Sequence, residues 1–394
     1  MRETPTTRGP RRQSCGRAAF TRLIAASFVT LVLAACSHSN AAPADSNWDR
    51  KAAAAYLDRR IVWWMGWKAS ARDQGTFCFS CHTAVPYALA RPRLSAALAE
   101  GASAPETRLI DDVRRRVRLW DETLPFYTDE RNGTGKAAQA RGTEAVLSAL
   151  MLAWDDAGRG QLSQDTVAAF DHMWAEQLAS GDGQGAWSWL DFDLAPWEVP
   201  ESQYYGAALG ALAVGIAPER YPARPQIQDH LQRLRNYLLR EYPEQSLHNR
   251  LIVLWASTKL PGLLDNDQRQ SLIEEVLGAQ NADGGWSLSR LLTRSSKRTA
   301  LLRDPDSDGY ATGLVTLVLE EAGKPRVAAQ VQRGRTWLVR NQYGHGGPWI
   351  RGQEGFWRAQ SLNKHRNPWS NVGRFMSDAA TAYAVLALTE PTQP

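Results

Sequence analysis

The chain has 394 residues, 43% hydrophobic and 22% charged, with four cysteines and a formal net charge of +5. That apolar content excludes a disordered polymer, and four cysteines over this length exclude a disulfide-stapled scaffold. The positive balance sits in residues 1–35, which hold six of the 46 basic and one of the 41 acidic residues; the remainder carries 40 of each, so its charge does not point to nucleic acid.

Residues 1–35 read as an export signal: an arginine-rich start, an apolar run over 23–35, and small residues before Cys36. The run is too short for a membrane span. With Cys36 directly after Leu33-Ala34-Ala35, the segment resembles a bacterial lipoprotein lipobox. That resemblance implies cleavage before Cys36, lipidation of its thiol, and attachment to a lipid bilayer facing the periplasm. Ser37, in place of Asp, implies the outer membrane by the same resemblance. Residues 36–47 read as a polar tether, and 48–394 as a single domain.

The first predicted helix, 48–64, is amphipathic and ends in Trp63 and Trp64, with Met65 and Trp67 following. These tryptophans read as core packing beside the next motif. Cys78-Phe79-Ser80-Cys81-His82 has the spacing that attaches a c-type haem. Two thiols three residues apart form thioethers to the vinyl groups, and the adjacent histidine reaches the iron. A redox dithiol, half a zinc site and a disulfide use the same residue types. The zinc reading lacks a second Cys or His pair at short spacing, and the dithiol reading leaves His82 unexplained. On this reading Cys78 and Cys81 bind one haem c covalently and His82 is the proximal ligand.

The rest of the chain reads as helix, without a convincing run of alternating strand residues. Segments apolar on nearly every side are predicted at 84–89, 142–154, 205–216, 251–257, 310–319 and 379–388. Amphipathic segments are predicted at 48–64, 107–120, 163–178, 226–239, 268–277 and 327–339. Apolar helices are buried ones. Six of each kind, alternating along the chain, predict an all-α fold, an (α/α)6 toroid of six inner and six outer helices. Arg114-Arg115-Arg116 reads as a solvated outer face.

Gln280-Asn281-Ala282-Asp283-Gly284-Gly285-Trp286 fits a Gln-x-x-x-Gly-x-Trp repeat. A longer form runs from Arg333 through Gln342 and Gly346 to Trp349, and an inserted copy from Gln177 to Trp187. The glutamine can cap backbone groups, the glycine permits a tight turn, and the tryptophan packs beneath. Over roughly residues 48–390 the chain resembles the terpenoid cyclase and protein prenyltransferase toroid superfamily. It is most similar to the bacterial periplasmic, squalene-cyclase-like subgroup that carries a Cys-x-x-Cys-His motif.

Squalene cyclases use an Asp-x-Asp-Asp acid, and the nearest counterpart is Asp306-Ser307-Asp308-Gly309. Asp306 and Asp308 are therefore the candidate catalytic residues for a terpene cyclase-like isomerase, although Gly309 replaces the final acid. Asp304 to Asp308 also opens like a calcium loop, with Val315 where the closing Glu belongs. The plainer reading makes Asp308 an N-cap, with Asp378 repeating that pattern.

An alternating toroid gathers the starts of its inner helices at one mouth. Cys81-His82, Glu144, Tyr204-Tyr205, His248, Asp308 and Met376–Asp378 are expected there, facing a central cavity. Met376 is the candidate distal iron ligand; Met65 lies on the outer side, and His248 lies across the ring. Two functions follow. One is a haem c lipoprotein in electron transfer or redox chemistry on a hydrophobic isoprenoid or lipid, with an unidentified redox partner. The other is a non-redox toroid that binds such a lipid.

Overall fold

The computed structural model describes residues 48–293, 304–323, 327–344 and 354–389. Cys36, with the rest of residues 1–47, lies outside the described residues, as do Gly346 and Trp349. Fourteen α-helices account for the fold among the described residues: α1 (Arg50–Gly66), α2 (Ala84–Ala97), α3 (Ala104–Arg118), α4 (Asp129–Asn132), α5 (Lys136–Ala157), α6 (Gln164–Ala175), α7 (Ser202–Ile216), α8 (Gln228–Glu241), α9 (Leu247–Lys259), α10 (Asn266–Gly278), α11 (Leu288–Leu291), α12 (Gly309–Glu321), α13 (Ala328–Arg340) and α14 (Phe375–Leu388). Only isolated bridges represent β-structure among these residues. None of these helices is long and apolar enough to cross a membrane.

Local chemistry starts the helices where the spacing places them. Asp49 accepts from the Ala52 amide, and Ser103 with Glu106 and Asp265 with Gln268 form capping boxes for α3 and α10. Ser163, Ser246 and Asp308 cap α6, α9 and α12. The predicted 84–89 segment extends to fourteen residues, with Pro92 inside the helix. The 142–154 segment is the middle of a 22-residue helix.

The apolar helices pack on one another in a closed circuit. α2 contacts α5, then the contacts run α5 to α7, α7 to α9, α9 to α12 and α12 to α14, and α14 returns to α2. Outside them, α1 packs on α2 and α14, α3 on α2 and α5, α6 on α5, α8 on α7, α10 on α9, and α13 on α12 and α14. The molecule is all-helical, and this pairing is consistent with the predicted α/α toroid.

The glutamine repeats join consecutive outer helices. Gln177 donates to Gly185 O and to His230 O on α8, both at 3.0 Å. Gln280 donates to Gly284 O at 2.8 Å and to Gln330 O on α13 at 3.0 Å. Gln342 donates to Gly355 O at 3.1 Å and to Asp49 O, the cap of α1, at 3.0 Å. The paired indoles, Trp187, Trp286 and Trp357, are fully buried and donate to the carbonyls of Met173, Val276 and Leu338. In the third copy, therefore, Gly355 and Trp357 hold the places assigned from spacing to Gly346 and Trp349. Gly185, Gly284 and Gly355 all adopt positive φ, at 96°, 94° and 59°, which explains the glycine at each turn.

Aromatic side chains fill the middle of the ring. Tyr205, from α7, lies near Tyr383 on α14, three positions away around the circuit. Trp255 of α9 reaches both Trp154 of α5, with centroids 6.0 Å apart, and Tyr383, at 6.4 Å. Contacts between non-neighbouring inner helices leave these residues buried against one another rather than around an open centre.

Candidate functional site

The turn carrying Cys78, Cys81 and His82 lies between α1 and α2, with the Ser80 hydroxyl accepting from the Thr83 and Ala84 amides. Trp64 donates its indole N–H to Cys78 O at 2.7 Å and stands edge-on to His82. Phe375, the first residue of α14, stacks on the His82 ring with centroids 3.9 Å apart. The tryptophan cluster thus packs the core and also walls the motif.

The Thr83 hydroxyl lies 2.7 Å from His82 Nδ1 and 2.8 Å from Asp378 Oδ2. A carboxylate only accepts, so the threonine gives its hydrogen to Asp378 and accepts from the His82 Nδ1–H. His82 is thereby held as the tautomer whose Nε2 keeps its lone pair, the form that ligates iron. Burial, with the Arg60 and Arg366 charges, pushes its pKa down to about 3, so the ring is neutral. Asp378 also accepts from Tyr56 OH at 2.9 Å and from Arg60 Nε and Nη2 at 2.7 and 2.9 Å. Both members of that ion pair are buried. Burial raises the Asp378 pKa, and the Arg60 charge opposes the rise. Asp378 sits inside α14 and caps nothing, contrary to the reading by analogy with Asp308.

Cys78 and Cys81 are both buried and unpaired. Burial pushes the Cys78 thiol up to about 11 and raises Cys81 well above its usual value. A redox dithiol needs a stabilised thiolate, so this environment disfavours that reading. Tyr127 lies near the Cys78 thiol, whereas Cys81 lies near Tyr205, Tyr310 and Tyr383.

His82 borders a cavity of about 130 Å³, together with Trp197, Glu198, Arg366, Phe375 and Met376. The candidate distal ligand Met376 is therefore at the same cavity as His82. Glu198 was not anticipated from sequence. Its backbone is held in a tight hairpin with Leu194 (N to O distances 2.8 and 2.9 Å), and burial raises its carboxyl pKa to about 7. Glu198 stands alone in a loop without a motif, so only the fold reveals it.

The donor set fits a c-type haem: two unpaired thiols at the attachment spacing and an imidazole with Nε2 available. The space is smaller than the roughly 300–1,000 Å³ of ordinary small-molecule sites.

Several predicted mouth residues have other roles. Glu144 lies within α5, fully buried, and pairs with Arg116. Arg116 is therefore not a solvated residue; it also donates to Thr76 and to Leu124 O, both at 2.8 Å. Tyr204 points outward and donates to Leu238 O on α8. Met65 is buried in α1, and both ring nitrogens of His248 are engaged, with Tyr310 and Asn249.

Asp308 accepts from the Tyr310, Ala311 and Leu288 amides at 2.7–2.9 Å, the geometry of an N-cap. Burial outweighs those donors and raises its pKa to about 6. Asp306 is exposed. Both border a second cleft, of about 310 Å³, with Arg358 and Trp337; the 360–363 segment lines this cleft through Gln360 and Leu362 and the His82 cavity through Ser361 and Asn363. Among the described residues no group of three or more His, Cys, Asp or Glu is placed to hold a metal ion, so the calcium-loop pattern has no ligand cluster. A scan against protein-family models and a search of the curated proteins found no match to this chain.

Proposed function

We propose that this chain binds one haem c through Cys78 and Cys81, with His82 as proximal ligand, on a squalene-cyclase-like toroid. Lipidated Cys36 would hold it at the periplasmic face of the outer membrane, and it would serve electron transfer or redox chemistry on a hydrophobic ligand. The observation that carries this reading is His82 itself. Its Nδ1 is tied through Thr83 to Asp378 and Arg60, beside two unpaired thiols at the attachment spacing.

Bound haem would supply one-electron chemistry at iron. The chain's residues would have separate tasks: Thr83 and Asp378 orient the imidazole, Trp64 and Phe375 shield its ring from water, and Met376, at the same cavity, is the candidate second ligand. An isoprenoid or lipid would meet the cavity at His82, because aromatic side chains occupy the ring centre.

The test is an absorption spectrum and in-gel haem stain after periplasmic expression with the haem c maturation machinery. One covalent haem per chain, lost in Cys81→Ala, is the expected result. Folded but colourless protein sinks the proposal and leaves lipid binding as the reading. In the same cells Cys36→Ser should release the protein from the membrane fraction; unchanged retention would count against the anchor.

A further inference from the structure

Trp197 forms part of the His82 cavity wall, with ring centroids 6.4 Å apart, and its indole N–H donates to the Tyr310 hydroxyl at 3.1 Å. Tyr310 OH lies 2.8 Å from His248 Nε2, and His248 Nδ1 lies 3.1 Å from Asn249 Oδ1. Asn249 Nδ2 donates to Glu201 O and Gln245 Oε1 at 3.1 and 3.0 Å, which fixes its amide so that Oδ1 faces the imidazole. His248 therefore carries its proton on Nδ1, and Nε2 accepts from Tyr310. Burial lowers the His248 pKa to about 4, so the imidazole is neutral, and it takes a proton only from a much stronger acid such as an oxidised phenol. Tyr310 and His248 are both fully buried.

We propose that Tyr310 is a redox-active tyrosine, oxidised by one electron through Trp197 from an oxidant in the His82 cavity, with its phenolic proton passing to His248 Nε2. The O–H bond breaks, an N–H bond forms on the imidazole, and the electron leaves through the indole. The products are a neutral tyrosyl radical and an imidazolium whose two N–H groups already face acceptors, Tyr310 O and Asn249 Oδ1. No heavy atom has to move, and reduction reverses both transfers. The oxidant is a one-electron acceptor stronger than tyrosine; a haem held by His82 would supply one when treated with peroxide. Beyond Tyr310, ring contacts continue through Tyr383 (5.4 Å), Trp255 (6.4 Å) and Trp154 (6.0 Å) toward the C-terminal ends of α5 and α9. Core packing accounts for adjacent rings, but not for a donor chain that ends on a neutral histidine base.

The inference rests on the haem reading only for its physiological oxidant, so the test has two arms on the full chain. Without haem, azide radicals from pulse radiolysis oxidise tryptophan, and transient absorption follows decay of the tryptophanyl band into the tyrosyl band. The tyrosyl signal should be lost in Tyr310→Phe and slowed in Trp197→Phe. His248→Gln keeps an acceptor oxygen but no base, so it should lose most of the tyrosyl yield while its circular dichroism melt persists. An unchanged tyrosyl yield in Tyr310→Phe or in folded His248→Gln overturns the proposal, whatever the haem content. With haem, peroxide should give a tyrosyl signal in freeze-quenched electron paramagnetic resonance that Tyr310→Phe lacks. A positive first arm on protein that takes up no haem keeps the tyrosine–histidine pair and removes the haem reading instead.

Discussion

Asp378 gathers donors from two parts of the chain: Tyr56 and Arg60 on α1, and Thr83 before α2. Asp378→Ala leaves the Arg60 guanidinium buried without its counter-charge, and urea denaturation should show a loss of about 3–5 kcal/mol. Thr83→Val removes the hydroxyl that bridges His82 to Asp378 and should cost about 1–3 kcal/mol, because one partner on each side loses its bond. Haem-loaded Thr83→Val should keep its stain and shift its potential; an unchanged potential would remove Thr83 from any role in orienting the ligand. Glu198 makes a pH prediction. Its pKa rises from about 4.5 to about 7 on folding, so between those values the folded state binds more protons. Its contribution to stability is present below about pH 4.5 and is lost as pH rises to about 7. Asp308 acts with the same sign up to about pH 6, whereas His82 and His248, depressed to about 3 and 4, act oppositely below about 6.5. The difference in unfolding free energy between wild type and Glu198→Gln isolates one group. It should change across pH 4.5–7 and flatten above; a flat difference throughout would place Glu198 in bulk solvent.

At the scale of elements, each glutamine amide satisfies carbonyls on two outer segments, which apolar packing cannot do. Gln280→Leu and Gln342→Leu should each destabilise by about 1–3 kcal/mol in chemical denaturation, through loss of the amide's bonds to the Gly284 and Gln330 or the Gly355 and Asp49 carbonyls. A cost near zero would mean that water replaces the amide. Gly334 tests the packing beneath. A Cβ there would come within 2.9 Å of the Trp286 ring and 2.4 Å of the Thr316 hydroxyl. Gly334→Val should therefore lower stability by about 1–3 kcal/mol through overpacking, read as a fall in Tm.

For the whole molecule, closure of the circuit depends on contacts between chain ends nearly 300 residues apart. Gln342 holds Asp49, and α14 packs on α1, α2 and α12. One cooperative thermal transition is expected for the 48–389 domain, because opening any neighbour pair exposes a fully apolar inner helix. A chain truncated before Phe375 loses Asp378 and uncovers α2 and α12. It should melt without cooperativity and be cut rapidly by protease; a sharp melt at the wild-type Tm would show that ring closure contributes little.

Much of this was legible in the sequence, because helical period and apolar content act locally. The alternation of apolar and amphipathic segments specified twelve helices and which of them are buried, since a helix without a polar face has nowhere else to go. The Cys-x-x-Cys-His spacing and the first two glutamine repeats were readable for the same reason: their partners are close in the chain. What only the tertiary structure decided depends on residues far apart in sequence. Trp357 took the place assigned to Trp349 because an insertion hides the register of the third repeat. Arg116 proved buried because Glu144 was there to pair with it, and Asp378 became the anchor of His82 rather than a cap. Glu198 and the aromatic filling of the ring belong to that class too. A side chain's period tells which face it occupies, but only the closed circuit sets what stands opposite.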